Sequence, residues 1–333
     1  MRTRRLSRTG PEVSALGLGL MGMSDGYGIP DDNESIATIH AALDAGITLL
    51  DTGDFYGTGH NELLLRDALR GRDRARAVIS VKTGPLRDPA GAFVGLDTRP
   101  ATLKNALAHT LRRLGTDYVD IYRPARLDPA VPIEDTVGAI AELVQAGYVR
   151  HIGLSEMGPD TLRRAQAVHP ICDLQIEYSL ISRGIEAEIL PTARELGIGI
   201  TAYGVLSRGL ISGHWQPGGA GAQDYRTMAP RFSGENLDRN LALVDTLRQV
   251  AEARGATPAQ AAIAWVLSRG RDVVPLVGAR RRDRLAESLA ALDLKLTDED
   301  LTAIERAMPA HAVAGERYDE GQMALLDSER KTV

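Results

Sequence analysis

The chain has 333 residues, 44% of them hydrophobic and 25% charged, with a net charge of −5, an ordinary soluble composition long enough for one barrel-sized domain or two smaller ones. The mild acidity argues against a nucleic-acid or anionic-membrane partner, which calls for a basic excess. Cys172 is the only cysteine, the histidines fall at no metal-ligand spacing, and the basic start Met1-Arg2-Thr3-Arg4-Arg5 leads into no apolar signal core, so a cytoplasmic, disulfide-free and metal-free protein is expected.

A short segment over 4–13, hairpin-like around Thr9-Gly10-Pro11, precedes a strand over 13–19. A helix over 34–45 follows, its start marked by Asp31, Asp32 and Asn33. The pattern then repeats: strand 47–51 and a helix near 61–69; strand 77–82 and helix 101–114; strand 119–125 and helix 134–145; strand 151–155 and a helix from Pro159. Strand 174–178 precedes helix 185–196, strand 199–203 leads after a long loop to helices 237–253 and 258–267, and strand 273–278 is followed by helix 282–292. Eight strand–helix units without a linker or a shift in composition predict a single (β/α)8 TIM barrel domain over 1–333, with parallel strands and an outer ring of helices. A doubly wound sheet is the structural alternative. Long loops over the C-terminal mouth are expected at 22–30, 84–96 and 207–236, the last with Gly218-Gly219-Ala220-Gly221 as a lid, together with the tail around Ala314-Gly315-Glu316-Arg317-Tyr318. The tail from Pro309 has little apolar periodicity.

The stretch Gly17-Leu18-Gly19-Leu20-Met21-Gly22 spells GxGxxG, yet it runs into the breaker-rich Asp25-Gly26-Tyr27-Gly28-Ile29-Pro30 and not into a helix. A dinucleotide fingerprint needs the helix start, so these glycines read as a close-packed barrel strand.

In a barrel the chemistry collects where strands end. Asp51 ends the second strand unit, Tyr56 lies in the loop after it, and Lys82 ends the third. A lysine closing a buried run is costly unless paired, and Asp51 is the natural partner. A cationic Lys82 near Tyr56 would lower the phenol pKa and make it a better proton donor. The plainer alternative is a structural Lys–Asp pair beside a surface tyrosine.

The run Leu50-Asp51-Thr52-Gly53-Asp54-Phe55-Tyr56-Gly57, with Lys82 downstream, resembles the signature of the aldo-keto reductases. Further matches are Arg113-Leu114-Gly115-Thr116-Asp117-Tyr118-Val119-Asp120, Gly153-Leu154-Ser155-Glu156, Leu174-Gln175-Ile176-Glu177-Tyr178-Ser179 and the helix from Pro258-Ala259-Gln260 to Leu267. The pair Ser155-Glu156 and the stretch from Arg163 to Pro170 are most similar to the perakine-reductase-like branch. The resemblance implies NADPH-dependent reduction of a small-molecule aldehyde or ketone to an alcohol, with Tyr56 as general acid, Lys82 tuning it and Asp51 holding Lys82.

The family's fourth catalytic member is a histidine at the end of the fourth strand. Here that strand reads Asp120-Ile121-Tyr122-Arg123-Pro124-Ala125-Arg126-Leu127-Asp128, which sets Ala125 at the histidine position. Losing one such donor costs on the order of 10²–10³ in rate. Slow catalysis by the other three, a substrate that fills the gap, or a replacement donor are the outcomes, and a weakly active or non-catalytic NADPH-binding sensor is the alternative function. Arg123 shares strand parity with Ala125 and is the candidate replacement, paired with Glu177 or Asp51; an interior ion pair without catalytic part is the other reading.

The resemblance further implies a nicotinamide carboxamide against Ser155 and Gln175, with Tyr203 stacked on the ring. Glu156 stands where many relatives have asparagine. Gly204, Leu206, Ser207, Gly209 and Leu210 match the loop that follows the pyrophosphate. Gly278, Arg280, Arg284, Glu287 and Ser288 match the adenosine grip, and arginines beside a helix start form an anion site that favours NADP(H) over NAD. A buried, satisfied amide for Gln175 and a solvated face for the arginines are the competing readings. Phe55 and Trp215 are candidates for an apolar pocket.

Overall fold

The computed structural model describes residues 1–215 and 224–330. Its first elements are β1 (Thr3–Arg5) and β2 (Glu12–Ser14), an antiparallel hairpin in the register Arg4↔Val13. Eight strands then close a parallel barrel: β3 (Gly17–Gly19), β4 (Leu49–Gly53), β5 (Val78–Thr83), β8 (Val119–Pro124), β9 (Val149–Ser155), β10 (Ile171–Glu177), β11 (Gly199–Tyr203) and β12 (Val273–Gly278), each beside its neighbour in the chain and β12 beside β3. The helices between them are α1 (Asp32–Asp44), α2 (His60–Leu69), α3 (Pro100–Leu114), α4 (Ile133–Gln145), α5 (Pro159–Val168), α6 (Ile189–Leu196), α7 (Gly234–Glu252), α8 (Pro258–Ser268) and α9 (Arg282–Ala290). The predicted (β/α)8 barrel with an N-terminal hairpin is the fold observed.

Strand parity separates two apolar regions. Leu18, Leu50, Ile79, Val81, Ile152 and Leu174 point outward into the layer shared with the helices. Leu49, Ile121, Val274 and Leu276 point inward and meet Leu6 and Val13 of the hairpin region, so the floor of the barrel is plugged with hydrocarbon. Above that floor the inward positions turn polar, with Asp51, Ser80, Lys82, Arg123, Asp173, Gln175 and Thr201 all buried. Polar groups at this depth need partners, and those partners define the site.

Several expectations are corrected. The strand expected over 13–19 is two: Ser14 Oγ donates to Leu16 O at 2.7 Å, and the chain bends there from the floor into the wall. Helix 185–196 is likewise divided, a 3-10 turn over Gly184–Glu186 giving way to α6 after Glu188, whose extended φ of −136° breaks the run. Residues 84–96 are not an irregular loop but carry a ribbon, β6 (Pro85–Arg87) and β7 (Phe93–Leu96). A helix α10 (Asp298–Ala307) lies outside the predicted elements and starts on a capping box made by Thr297 and Asp300. A single turn, α11 (Glu320–Met323), lies in the tail.

Gly17-Leu18-Gly19 is barrel wall, as expected of a non-dinucleotide sequence: a Cβ on Gly17 would stand 2.9 Å from Leu49 Cδ2 and 3.0 Å from Leu276 Cδ1. The chain then enters a 3-10 turn over Met21–Met23 and not a helix that could hold a pyrophosphate. Of the expected lid, Gly218-Gly219-Ala220-Gly221 lies outside the described residues.

Candidate active site

Lys82 and Gly53 are register partners on β5 and β4, which sets the lysine beside the loop that carries Tyr56. Its ammonium donates to Asp51 Oδ1. The other carboxylate oxygen accepts from Ser80 Oγ at 2.9 Å and from Gln175 Nε2 at 2.8 Å. Asp51 is therefore held by three donors from β5 and β10, and Lys82 is only 5% exposed. Lys82 Nζ stands 5.0 Å from the centroid of the Tyr56 ring, against which Phe55 packs edge-on. Burial pushes the lysine pKa down and Arg123 adds to this, while Asp51 opposes both. The Tyr56 phenol is pushed well up, first by burial and then by the Asp51 carboxylate, with Arg126 pulling the other way. The expected lowering of the phenol is thus not met in the free site, because desolvation outweighs the nearby cations.

Arg123 is the register partner of Lys82 on the neighbouring strand β8. It is fully buried and donates from Nη2 to Asp173 Oδ2 at 2.9 Å. Its expected partners are engaged elsewhere, Asp51 with Lys82 and Glu177 with Arg208. Gly153 makes room for the pair, since a Cβ there would stand 2.5 Å from Asp173 Oδ1 and 3.2 Å from Arg123 Nε. Nε and Nη1 of Arg123 are buried without an acceptor among the described residues. Ala125 is 3% exposed and continues the β5–β8 pairing through its N–H, which donates to Thr83 O at 2.8 Å. The next residue, Arg126, curls back to donate to Ala125 O at 2.7 Å and has no carboxylate partner among the described residues.

Around the mouth, Ser155 at the end of β9 and Gln175 two residues before the end of β10 are register partners. Gln175 is engaged with Asp51 through Nε2, a satisfied amide on that side. Glu156 is fully buried in a left-handed conformation, φ 56°. It accepts two bonds from Arg317, 2.9 Å and 2.6 Å, one from Tyr203 OH at 2.7 Å and one from Ser328 Oγ. Burial alone would raise this carboxyl; Arg317, assisted by Arg126 and Ser328, carries it down to about 2. Tyr203 OH also lies 3.0 Å from Tyr318 OH, so the tail reaches the residue expected to stack on the nicotinamide.

The loop after β11 is backbone-strained at two non-glycine positions, Ser207 (φ 44°) and Arg208 (φ 58°), followed by Gly209 (φ 93°). Gly204 is also left-handed, Leu210 is buried and Leu206 packs against the core. Arg208 donates to Glu177 Oε2 at 3.1 Å and lies over the Tyr318 ring, 4.2 Å from its centroid. With Glu156 and with Thr58 after β4, all four positive-φ non-glycine residues among those described stand in loops at the C-terminal ends of barrel strands.

At the eighth strand end, Gly278 is exposed, and Arg280 donates to Tyr27 O and, at 2.6 Å, to Ile29 O. Arg284 Nη1 lies 2.6 Å from His214 Nε2 and 3.4 Å from Glu287 Oε2. Ser288 Oγ donates to Arg284 O at 2.9 Å, a bond within α9. Arg282 meets Glu34, whose carboxylate accepts the Arg282 N–H at 3.0 Å at the helix start. Trp215 packs against Phe232 and beneath Arg226, away from Phe55.

The pattern of the Aldo/keto reductase family matches residues 15–308. Probable aldo-keto reductase 1 of Glycine max is 42% identical over 318 residues, 95% of this chain and 92% of that protein. The chain belongs to the aldo/keto reductase family. Among solved structures, a glycerol dehydrogenase from Gluconobacter oxydans superposes with a TM-score of 0.84 at 31% identity, over 93% of this chain and 95% of that one. The holo form of an aldo-keto reductase from Bacillus halodurans gives 0.77 at 28% identity, over 93% and 97%. Aldo/keto reductases are carbonyl oxidoreductases that use nicotinamide cofactors.

The site of this aldo/keto reductase suits such a cofactor on its own chemistry. Ser207 Oγ and Arg208 Nη1 are buried donors without a partner, set on strained backbone at a barrel-strand end. Two orphaned donors, one of them cationic, fit the anionic pyrophosphate. Sequence reasoning misses one residue of the site, Arg126, and the contacts of two others. Arg317 and Tyr318 were expected over the mouth, but their contacts with Glu156 and Tyr203 come from a tail without periodicity and have no local signal. Arg126 had a signal, since it directly follows Ala125, the position at which the resemblance sets the family's histidine.

Proposed function

We propose that this aldo/keto reductase is an NADPH-dependent enzyme that reduces an aldehyde or ketone to an alcohol, with Tyr56 as the general acid. The observation that carries the reading is the buried Asp51–Lys82 pair placed under the Tyr56 ring. When bound, the reduced nicotinamide supplies the hydride. Tyr56 gives its hydroxyl proton to the carbonyl oxygen as the carbon accepts that hydride, and the phenolate is reprotonated from solvent. Charge develops on the phenol oxygen, and the cations Lys82 and Arg126 stabilise it in a site where burial otherwise holds the proton on. Asp51 fixes Lys82 against the ring and Ser80 and Gln175 fix Asp51.

Ser155 and the free oxygen of Gln175 are assigned to the carboxamide, Tyr203 to the nicotinamide face, and the segment from Gly204 through Leu206, Ser207, Gly209 and Leu210 to the pyrophosphate. Gly278, Arg280, Arg284, Glu287 and Ser288 are assigned to the adenosine end, and the Arg280 and Arg284 guanidinium groups support a 2′-phosphate and hence NADPH. Arg123 is assigned a supporting role: it touches Asp173 and acts on Lys82 through charge.

Ala125 favours a second reading, a barrel that binds NADPH tightly and turns over little, because it offers no side-chain donor to the carbonyl. Single-turnover oxidation of bound NADPH by a panel of aldehydes, followed by stopped-flow absorbance, separates the two. An enzyme shows a hydride step that Tyr56→Phe slows by about 10²–10⁴ without loss of NADPH affinity. Tight binding with no aldehyde-dependent oxidation identifies the sensor.

A further inference from the structure

The buried cations around the mouth are matched one by one. Lys82 has Asp51, Arg123 has Asp173 and Arg317 has Glu156. Arg126 is the exception. It is partly buried, it follows the end of β8 at the mouth, and its one hydrogen bond among the described residues spends a single Nη1 proton on Ala125 O. A guanidinium carries five N–H donors in a planar fork, and a partly desolvated one without a counter-ion holds unmet binding capacity.

Its position gives that capacity a direction. Arg126 adjoins Ala125, where the missing imidazole leaves a methyl group in place of a ring. Its charge bears on Tyr56 and Lys82 on one side of the mouth and on Tyr203, Tyr318 and Glu156 on the other. Glu156 is the one carboxylate among these neighbours besides Asp51. It accepts from Arg317, Tyr203 and Ser328, and Arg317 repels Arg126 from the same direction. The chain therefore presents a guanidinium fork with no carboxylate in salt-bridge contact among the described residues, within electrostatic reach of the proton donor.

We infer that Arg126 is a substrate-binding residue that pairs with a carboxylate, so that this enzyme takes oxo acids, carbonyl compounds bearing a carboxylate a few bonds from the reacting carbon. The inference rests on the carbonyl reductase reading above. The carboxylate is held by the Arg126 fork in two parallel bonds while the carbonyl oxygen meets Tyr56, and the anchor orients the carbonyl that no histidine orients. No new bond-making step is involved: the hydride goes to the carbonyl carbon and the proton comes from Tyr56, as for a neutral aldehyde.

The test compares succinic semialdehyde with its neutral methyl ester, methyl 4-oxobutanoate, using NADPH. The wild-type kcat/KM favours the acid by about 10- to 100-fold, the worth of a charge-assisted bidentate contact. Arg126→Gln collapses that ratio toward one, and Arg126→Lys restores part of it. A wild-type ratio near one, or a ratio that Arg126→Gln leaves intact, overturns the inference. A second measurement needs no turnover and no variant: in the presence of NADP+, succinate raises the melting temperature of the wild type and dimethyl succinate does not. Equal shifts from the two, or none from succinate, overturn it as well. If neither aldehyde oxidises bound NADPH while succinate still binds selectively, the reductase reading fails and the carboxylate site stands.

Discussion

Arg317, in the C-terminal tail, grips Glu156 at the end of β9 with two separate N–H groups, Nη1 to Oε1 at 2.9 Å and Nη2 to Oε2 at 2.6 Å. Both side chains are buried, and Tyr203 and Ser328 add donors to the same carboxylate. The tail is therefore tied to the strand ends that line the mouth, and removing one partner strands a charge. Arg317→Ala is expected to cost about 3–5 kcal/mol of unfolding free energy, as for other broken buried pairs. The double variant Arg317→Ala with Glu156→Gln recovers much of that loss. Urea titration of the four proteins checks it; additive losses would show that the pair is not coupled.

The same carboxylate sets an acid limit. Its folded pKa of about 2 lies below its ordinary 4.5, so its contribution to stability is complete above 4.5 and disappears as pH falls from there toward 2. Glu156→Gln is expected to flatten the dependence of unfolding free energy on pH in that window. Melting curves from pH 5 down to pH 2 measure it.

Asp54 acts with the opposite sign. It accepts from Thr83 Oγ1 at 2.6 Å, and burial, with Glu62 adding to it, raises its carboxyl to about 7. The folded protein then binds a proton that the unfolded chain releases near 3.8, so stability contributed by this group falls as pH rises between 3.8 and about 7 and levels off above. Asp54→Asn, which keeps the shape and an acceptor for Thr83, is expected to remove that decline, so that the variant gains on the wild type as pH goes from 5 to 8. A parallel pH dependence in both proteins would assign the titration elsewhere.

The barrel was legible because its signals are local and repeated: apolar runs of strand length, helix starts such as Asp31, and short connections. The capping pair Thr297 and Asp300 is just as local, yet helix α10 completes no strand–helix unit and so escaped the count. In the site, Asp51, Tyr56 and Lys82 could be joined because strand ends in a parallel barrel converge whatever the loops do. Arg123 was placed inside by parity, but its partner was not, because Glu177, Asp51 and Asp173 all point inward and only packing around Gly153 selects Asp173. The tail was expected over the mouth, but sequence order does not name the partner of its Arg317, a residue 161 positions away.

The adenosine end yields a cofactor prediction. Arg284 is 42% exposed at its side chain and touches His214 and Glu287, neither of which buries its charge. A 2′-phosphate would give it a stronger, charge-assisted partner. Arg284→Ala is therefore expected to weaken NADPH binding by about 10- to 100-fold. NADH, which lacks that phosphate, should be affected much less. Fluorescence titration with each cofactor decides it; equal losses for both would remove Arg284 from the phosphate site.

Arg123 and Asp173 are paired inside the barrel, and both side chains are fully buried. Asp173 also accepts from Thr201 Oγ1, so it stays anchored when the arginine is removed and is left as an unpaired carboxylate in the barrel interior. Arg123→Leu is expected to destabilise the fold by about 3–5 kcal/mol. Adding Asp173→Leu should return most of it, because hydrophobic pairs replace buried ion pairs at little cost. The coupling is read from denaturant unfolding, and kcat of the folded fraction is measured alongside. If Arg123→Leu lowers kcat steeply while stability holds, the residue belongs with Tyr56 and Lys82 and not with the framework.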